Sequence, residues 1–139
     1  MLIDSNILIY AINSSSPKHK IAQTFLQENI GELVLAQQNI FETLRILTHS
    51  KFPSPLTVRE AILQVKSIID VSRVIAPDYK THYLALELIK KYNLASYLVF
   101  DAYLAATVLS NGITTIATDN VKDFQKFEIT VVNPFVKGE

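Results

Sequence analysis

Apolar residues fall in short blocks along the chain, and the spacing within the blocks alternates between strand and helix periods. The chain opens on an apolar run closed by Asp4, which predicts a strand over 1–4. NILIYAI is apolar too densely for an exposed loop and predicts a short helix over 5–12. After a serine-rich turn, Pro17 opens a helix running to position 29. ELVLA (32–36) reads as a strand and is followed by a helix over 38–50. Thr57 N-caps a helix to position 70, with Glu60 completing a capping box. SRVIA (72–76) is a short strand, and Asp78 caps a helix to position 93. FDAYLAATVLSNG predicts a helix from 101 to 111, ended by Gly112. TTIAT (114–118) is a strand, NVKDFQKF a short helical turn, and EITVV (128–132) the last strand. Strands alternating with helices imply a parallel sheet covered on both faces. Ligands in such sheets bind beyond the carboxyl ends of the strands, near a topological switch point. Asp4 and Asp119 fall at that edge, and Asp101 opens a helix that begins there.

Four aspartates therefore stand where apolar runs give way to helix-starting sequence: Asp4, Asp101, Asp119 and Asp123. A fifth acid, Glu42, lies inside the apolar helix pattern NIFETLRIL. Carboxylates at least half buried are costly unless paired or bound to a cation. Brought together, these five would call for a divalent metal, and phosphodiester hydrolysis is the first reaction to consider. Each acid alone has a simpler explanation, because aspartate at a strand-to-helix junction is a favoured N-cap. The set changes the balance. Asp101 precedes AYLAATVL, a helix apolar enough to be mostly buried, and Asp4 precedes another apolar helix. Glu42 is different. Helix phase groups Ile40, Leu44 and Leu47 on one face and leaves Glu42 on the other with Gln38, Arg45 and His49. Periodicity alone favours a solvated stripe and a weak Glu42–Arg45 pair, contributing about a few tenths of a kcal/mol. Ser5 and Thr118 each adjoin a key aspartate. Their hydroxyls can orient a carboxylate, or simply serve turns and caps.

Composition narrows the chemistry. At 139 residues the chain makes one domain, and with 49% hydrophobic and 19% charged residues it reads as soluble and globular. Thirteen basic and thirteen acidic residues cancel, which excludes holding nucleic acid by bulk positive charge. With five acids engaged by a metal, the remaining surface becomes mildly basic and tolerates a phosphate backbone. Without the metal, the cleft repels RNA. The absence of cysteine excludes disulfides, thiolate zinc sites and cysteine nucleophiles. Tryptophan is absent too, so stacking on bases falls to Tyr and Phe. Gly31, Gly112 and Gly138 cannot form a glycine-rich phosphate loop. No apolar stretch reaches the ~18 residues of a membrane helix, and nothing resembles a signal peptide. Cytoplasmic residence fits. Basic residues are scattered: Lys18 and Lys20 with His19, Arg45 with Lys51, Lys90 and Lys91 with Tyr92. Any of them can touch a phosphate, though a solvated helix face explains each. His19, His49 and His82 show no ligand spacing.

Taken in order, LIDSNILIY, the glutamate of NIFETLRIL, FDAYLAATVLSNG, ATDNVKDF and the closing VNPF resemble the PIN-domain family. More closely they resemble its VapC-type members, the ribonuclease toxins of type II toxin–antitoxin pairs. The resemblance spans almost the whole chain. It implies a PIN-like three-layer α/β/α fold with a central, mostly parallel sheet, as a single domain over 1–139. It implies that Asp4, Glu42 and Asp101 are the first three metal-binding acids, that Asn6 braces the first loop, and that Ser5 supports it. The fourth acidic position stays open among Asp119, Asn120 and Asp123. The family pattern puts Asn120 two residues after Thr118, while Asp123 precedes Phe124 as a frequent family acid. Also implied are Mg²⁺ or Mn²⁺ as cofactor, single-stranded or looped RNA as substrate, a small antitoxin protein as partner, and a homodimer. Hydrolysis then needs no side-chain nucleophile, consistent with the lack of any Ser–His–Asp or Cys–His signature. Two other readings compete. One is a catalytically silent PIN-like module that only binds a partner. The other is a phosphoacceptor receiver-like domain, which wants paired acids after the first strand and a lysine after a late one. Here a single aspartate follows the first strand, and Lys137 lies too close to the end.

Overall fold

The computed structural model describes residues 1–136; Lys137, Gly138 and the end of the expected 1–139 domain lie outside the described residues. β1 (Leu2–Ile3) leads into α1 (Ser5–Ile12) and α2 (His19–Glu28). β2 (Val34–Ala36) runs without a break into α3 (Gln37–Leu47), followed by α4 (Val58–Ile69). β3 (Arg73–Ile75) precedes α5 (Thr81–Tyr92) and α6 (Leu98–Ser110). β4 (Thr115–Ala117), the short α7 (Val121–Phe124) and β5 (Thr130–Val132) complete the chain.

All the strand pairings are parallel, in the order β3-β2-β1-β4-β5. The chain builds outward from β1 to β3, then crosses back to place β4 on the other side of β1. The β1–β4 border is therefore the switch point, where a crevice opens at the carboxyl ends of the strands.

Side chains alternate along the strands and sort into two apolar layers. Leu2, Val34, Ala36 and Ile116 pack with Ala102, Ala105 and Val108 of α6. Ile3, Leu35 and Ala117 point to the other face and pack with Ile7 and Leu8 of α1 and Ala22 and Leu26 of α2. A third cluster, Ile9 with Leu47, Ala61 and Val65, ties α1 to α3 and α4. Helices on both faces of one sheet give the three-layer arrangement. Among the described residues no helix is long and apolar enough to cross a membrane.

Local chemistry sets the element ends. Thr57 and Glu60 form the expected reciprocal cap, each backbone N–H donating to the other side chain at 3.1 Å. Gly112 takes φ +72°, and the Gly112 and Ile113 amides return to the carbonyls of Leu109 and Val108 to close α6. Three starts differ from expectation. α2 begins at His19 rather than at Pro17, which lies in the turn ahead of the helix. Asp78 is not the N-cap of α5; it makes a turn ahead of the helix, accepting from the Lys80 amide at 2.7 Å and the Thr81 hydroxyl at 3.2 Å. α6 begins at Leu98 rather than at Asp101, because Leu98 packs onto the core. Asp101 therefore projects from the first turn of the helix instead of capping it.

Candidate active site

Asp4 directly follows β1, and its amide donates to the Ala117 carbonyl of β4 at 3.0 Å, so its position is fixed by the sheet. It caps α1 with extended backbone, and its Oδ1 accepts from the Ser5 amide at 2.8 Å. Three side chains hold the rest of the carboxylate. The Thr118 hydroxyl donates to Oδ2 at 2.8 Å, Asn6 Nδ2 to Oδ2 at 3.2 Å, and Asn39 Nδ2 to Oδ1 at 3.4 Å. Every one of these donors is neutral. Burial pushes the Asp4 carboxyl up to about 6; Thr118 and Ser5 pull it down, while Glu42 and Asp123 repel it further upward.

The other acids arrive from three separate elements. Glu42, on α3, accepts from the Ser5 hydroxyl and from Gln38 Nε2, both at 2.8 Å. Of the stripe that helix phase left to solvent, Gln38 and Glu42 line a cleft shared with α1, while Arg45 and His49 are exposed, and no Glu42–Arg45 salt bridge forms among the described residues. Asp101, on α6, accepts no hydrogen bond among the described residues and is half-buried. Burial raises its carboxyl to about 6, the charges of Asp123, Asp4 and Glu42 add to the rise, and Lys126 opposes them. Asp123 comes from α7. Asp4, Glu42, Asp101 and Asp123 line one cavity of about 210 Å³, with Ser5, Asn6 and Asn120 on its wall.

Asp119 does not line that cavity. Its carboxylate is paired with the Lys18 ammonium and also accepts from Tyr10 Oη at 3.0 Å and Asn133 Nδ2 at 3.4 Å. Burial pushes it up, but the bonds from Lys18, Tyr10 and Asn133 outweigh burial and hold it below the usual carboxylate range. The Lys18 ammonium also lies 5.2 Å from the centroids of both the Tyr10 and Phe135 rings. Asp119 touches the site only through its backbone, whose N–H donates to Asn6 Oδ1 at 3.2 Å. Of the three residues left open for the fourth acidic position, the structure aims Asp123 and Asn120 at the cavity and turns Asp119 away.

A family model for the PIN domain matches residues 1–129. The chain belongs to the PIN-domain family. Among its relatives, ribonuclease VapC37 of Mycobacterium tuberculosis is 26% identical, with 91% of each chain covered. VapBC2 from Rickettsia felis, solved with a promoter DNA fragment, superposes with a TM-score of 0.72 at 16% identity, covering 95% of this chain and 96% of that one. VapC20 of M. tuberculosis, a toxin cleaving the sarcin–ricin loop, gives 0.67 at 17% identity over 86% and 89%. At such identities the superpositions establish the PIN fold. They leave the receiver-like reading without support.

The sequence offered no role for Asn39, Gln38 or Asn133 in this PIN domain. Asn39 is fully buried; its Nδ2 reaches both Asp4 and the Ser5 hydroxyl, while its Oδ1 accepts from the Ala36 amide. The signal was an amide three residues before Glu42, one helical turn away on the same side. Gln38, four residues before Glu42, carried the same signal. Asn133 was legible only as part of VNPF. Among the described residues no three Asp, Glu or His side chains stand in a ready-made cage for one ion. The donor set itself fits a hard divalent cation: four carboxylates and amide oxygens, no soft ligand, and mutual repulsion that a cation would relieve. Mg²⁺ takes one or two carboxylates and keeps several waters, so it suits acids spread around a cleft.

Proposed function

We propose that this PIN-domain protein is a metal-dependent endoribonuclease and the toxin of a type II toxin–antitoxin pair. The observation that carries the reading is the convergence of Asp4, Glu42, Asp101 and Asp123 on one cleft, with Asp4 and Asp101 raised to about 6. Relatives named as a ribonuclease and as toxin–antitoxin complexes support it. In this reading Asp4, Glu42, Asp101 and Asp123 hold Mg²⁺ or Mn²⁺. Such an ion supplies Lewis-acid polarisation of the phosphodiester and activation of water. Thr118, Asn6 and Asn39 fix the Asp4 carboxylate, Ser5 links Asp4 to Glu42, and Asn120 lines the cleft. Asp119 serves as a strut and not as a ligand. Asp101, free of hydrogen bonds among the described residues, is the acid able to reorient toward cation or substrate. The same reading has the protein act in the cytoplasm, bind a small antitoxin and form a homodimer.

The test is cleavage of a single-stranded oligoribonucleotide by purified protein. Cleavage with Mg²⁺ or Mn²⁺, lost with EDTA and lost in Asp101→Asn, is the expected result. Cleavage that survives EDTA, or equal cleavage by Asp101→Asn, overturns the proposal. A flat Mn²⁺ titration of the wild type would instead establish the silent partner-binding module. Co-purification with the product of a short neighbouring reading frame tests the antitoxin assignment.

A further inference from the structure

Beside the acid cleft lies a second, larger cavity of about 530 Å³, walled by aromatic side chains. Phe41, Tyr97 and Phe100 line it, and they are 68%, 75% and 59% exposed. Aromatic rings this open to water on a folded domain are costly and mark a binding surface. Their placement follows from helix geometry. Tyr97 and Phe100 stand three residues apart at the start of α6, and Phe41 and Arg45 four apart on α3, so each pair shares a face. The shelf is continuous with the proposed active site, because Gln38, Glu42, Phe100 and Asp101 belong to both cavities. Arg45 is exposed at its edge and forms no salt bridge among the described residues. Gln38, at the junction, spends its Nε2 on Glu42 and the Phe100 carbonyl, while its buried Oε1 has no partner among the described residues.

We propose that this shelf is the stacking platform for unpaired bases of the RNA flanking the scissile phosphate. The proposal rests on the nuclease reading given above. The rings run straight into the acid cleft through Gln38, Glu42, Phe100 and Asp101, so the molecule lying on them is the one whose phosphate enters that cleft, and Arg45 is the cation beside them. Stacking also answers an electrostatic difficulty. The cleft is acidic and the chain has no net charge, so phosphate attraction alone cannot retain RNA. Base–ring contacts supply affinity without positive charge, and Arg45 meets the backbone leading onto the shelf. Stacking tolerates every base, because each has a π-face.

The experiment compares two oligoribonucleotides, identical except that one carries abasic ribose at the positions flanking the cleavage site. Binding is read by fluorescence anisotropy with Ca²⁺ replacing Mg²⁺, and KM and kcat by cleavage. The wild type is expected to bind the abasic strand about tenfold more weakly. Phe100→Ala should raise KM on the normal strand about tenfold and no longer distinguish the two strands. Phe100→Trp should restore the discrimination. Phe100 is exposed, so its truncation leaves no core cavity. Equal wild-type binding of both strands overturns the proposal. So does a Phe100→Ala variant that changes the association state of the protein but keeps its abasic discrimination, which would make the shelf a contact between copies. If no RNA is cleaved yet binding stays abasic-sensitive, the nuclease reading fails and the shelf stands.

Discussion

Asp101 and Asp119 are the same residue type in opposite physical states. Asp101 accepts no hydrogen bond among the described residues, faces three other acids, and has its carboxyl raised to about 6. Asp119 is paired with Lys18, receives bonds from Tyr10 and Asn133, and is held below the usual range. One carboxylate is left in a condition that lowers stability; the other is fully employed in holding two loops together. In the proposed reading, unrelieved repulsion is what a cation in the cleft would relieve. Satisfied charge marks a strut, even a few residues along the chain from the site.

The largest expected contrast is catalytic. Asp101→Asn should lower RNA cleavage by more than about 100-fold, beyond the 10- to 100-fold range that losing an outer support costs. Asp119→Asn should lower it by less than about tenfold. Asn39→Ala removes a buried brace of Asp4 and should fall between them, within roughly 10- to 100-fold. Steady-state cleavage of one oligonucleotide by the three variants orders them. Equal losses in Asp101→Asn and Asp119→Asn would erase the distinction.

A contrast of opposite sign is expected in stability. Asp101→Asn removes a repelled charge and should raise the melting temperature of the metal-free protein at pH 7, by roughly 3 °C. Asp119→Ala removes the anchor of Lys18 and should lower it by a similar amount. Thermal unfolding in EDTA measures both.

The pH dependence is a smaller effect. Asp4 and Asp101 bind protons more tightly folded than unfolded, moving from 3.8 to about 6, so the native state holds the extra protons in that window. Metal-free stability should therefore fall as pH rises from about 4 to 6. Asp119 acts the other way: its lowered folded value contributes stability above its ordinary 3.8, and this is lost as pH falls through the folded value. Denaturant unfolding between pH 4 and pH 7 should show the Asp4 and Asp101 slope in the wild type and a shallower one in Asp101→Asn.

The fold was written in the apolar spacing. Each predicted strand and helix is present, because strand and helix periods were separated by clear turn chemistry such as Thr57–Glu60 and Gly112. The start of α6 was missed because Asp101 looked like a cap, while the anchoring force was burial of Leu98. The site was legible in part. Asp4 and Asp101 stood out because acids beside apolar runs conflict with burial. Glu42 was not legible from periodicity, which distinguishes core from not-core but cannot tell open solvent from a cleft. Asp119 was indistinguishable from Asp123 in sequence, since its partner Lys18 is 101 residues away. Asn39 went unread because a buried amide in a helix carries no pattern of its own until its partners converge.

The contrast between Asp101 and Asp119 is tested most directly by calorimetric titration of Mn²⁺ into the wild type, Asp101→Asn and Asp119→Asn at pH 7. The wild type should bind, Asp101→Asn should lose at least about tenfold in affinity, and Asp119→Asn should match the wild type within about twofold. Binding lost in Asp119→Asn but kept in Asp101→Asn would contradict the assignment of the cleft as the metal site.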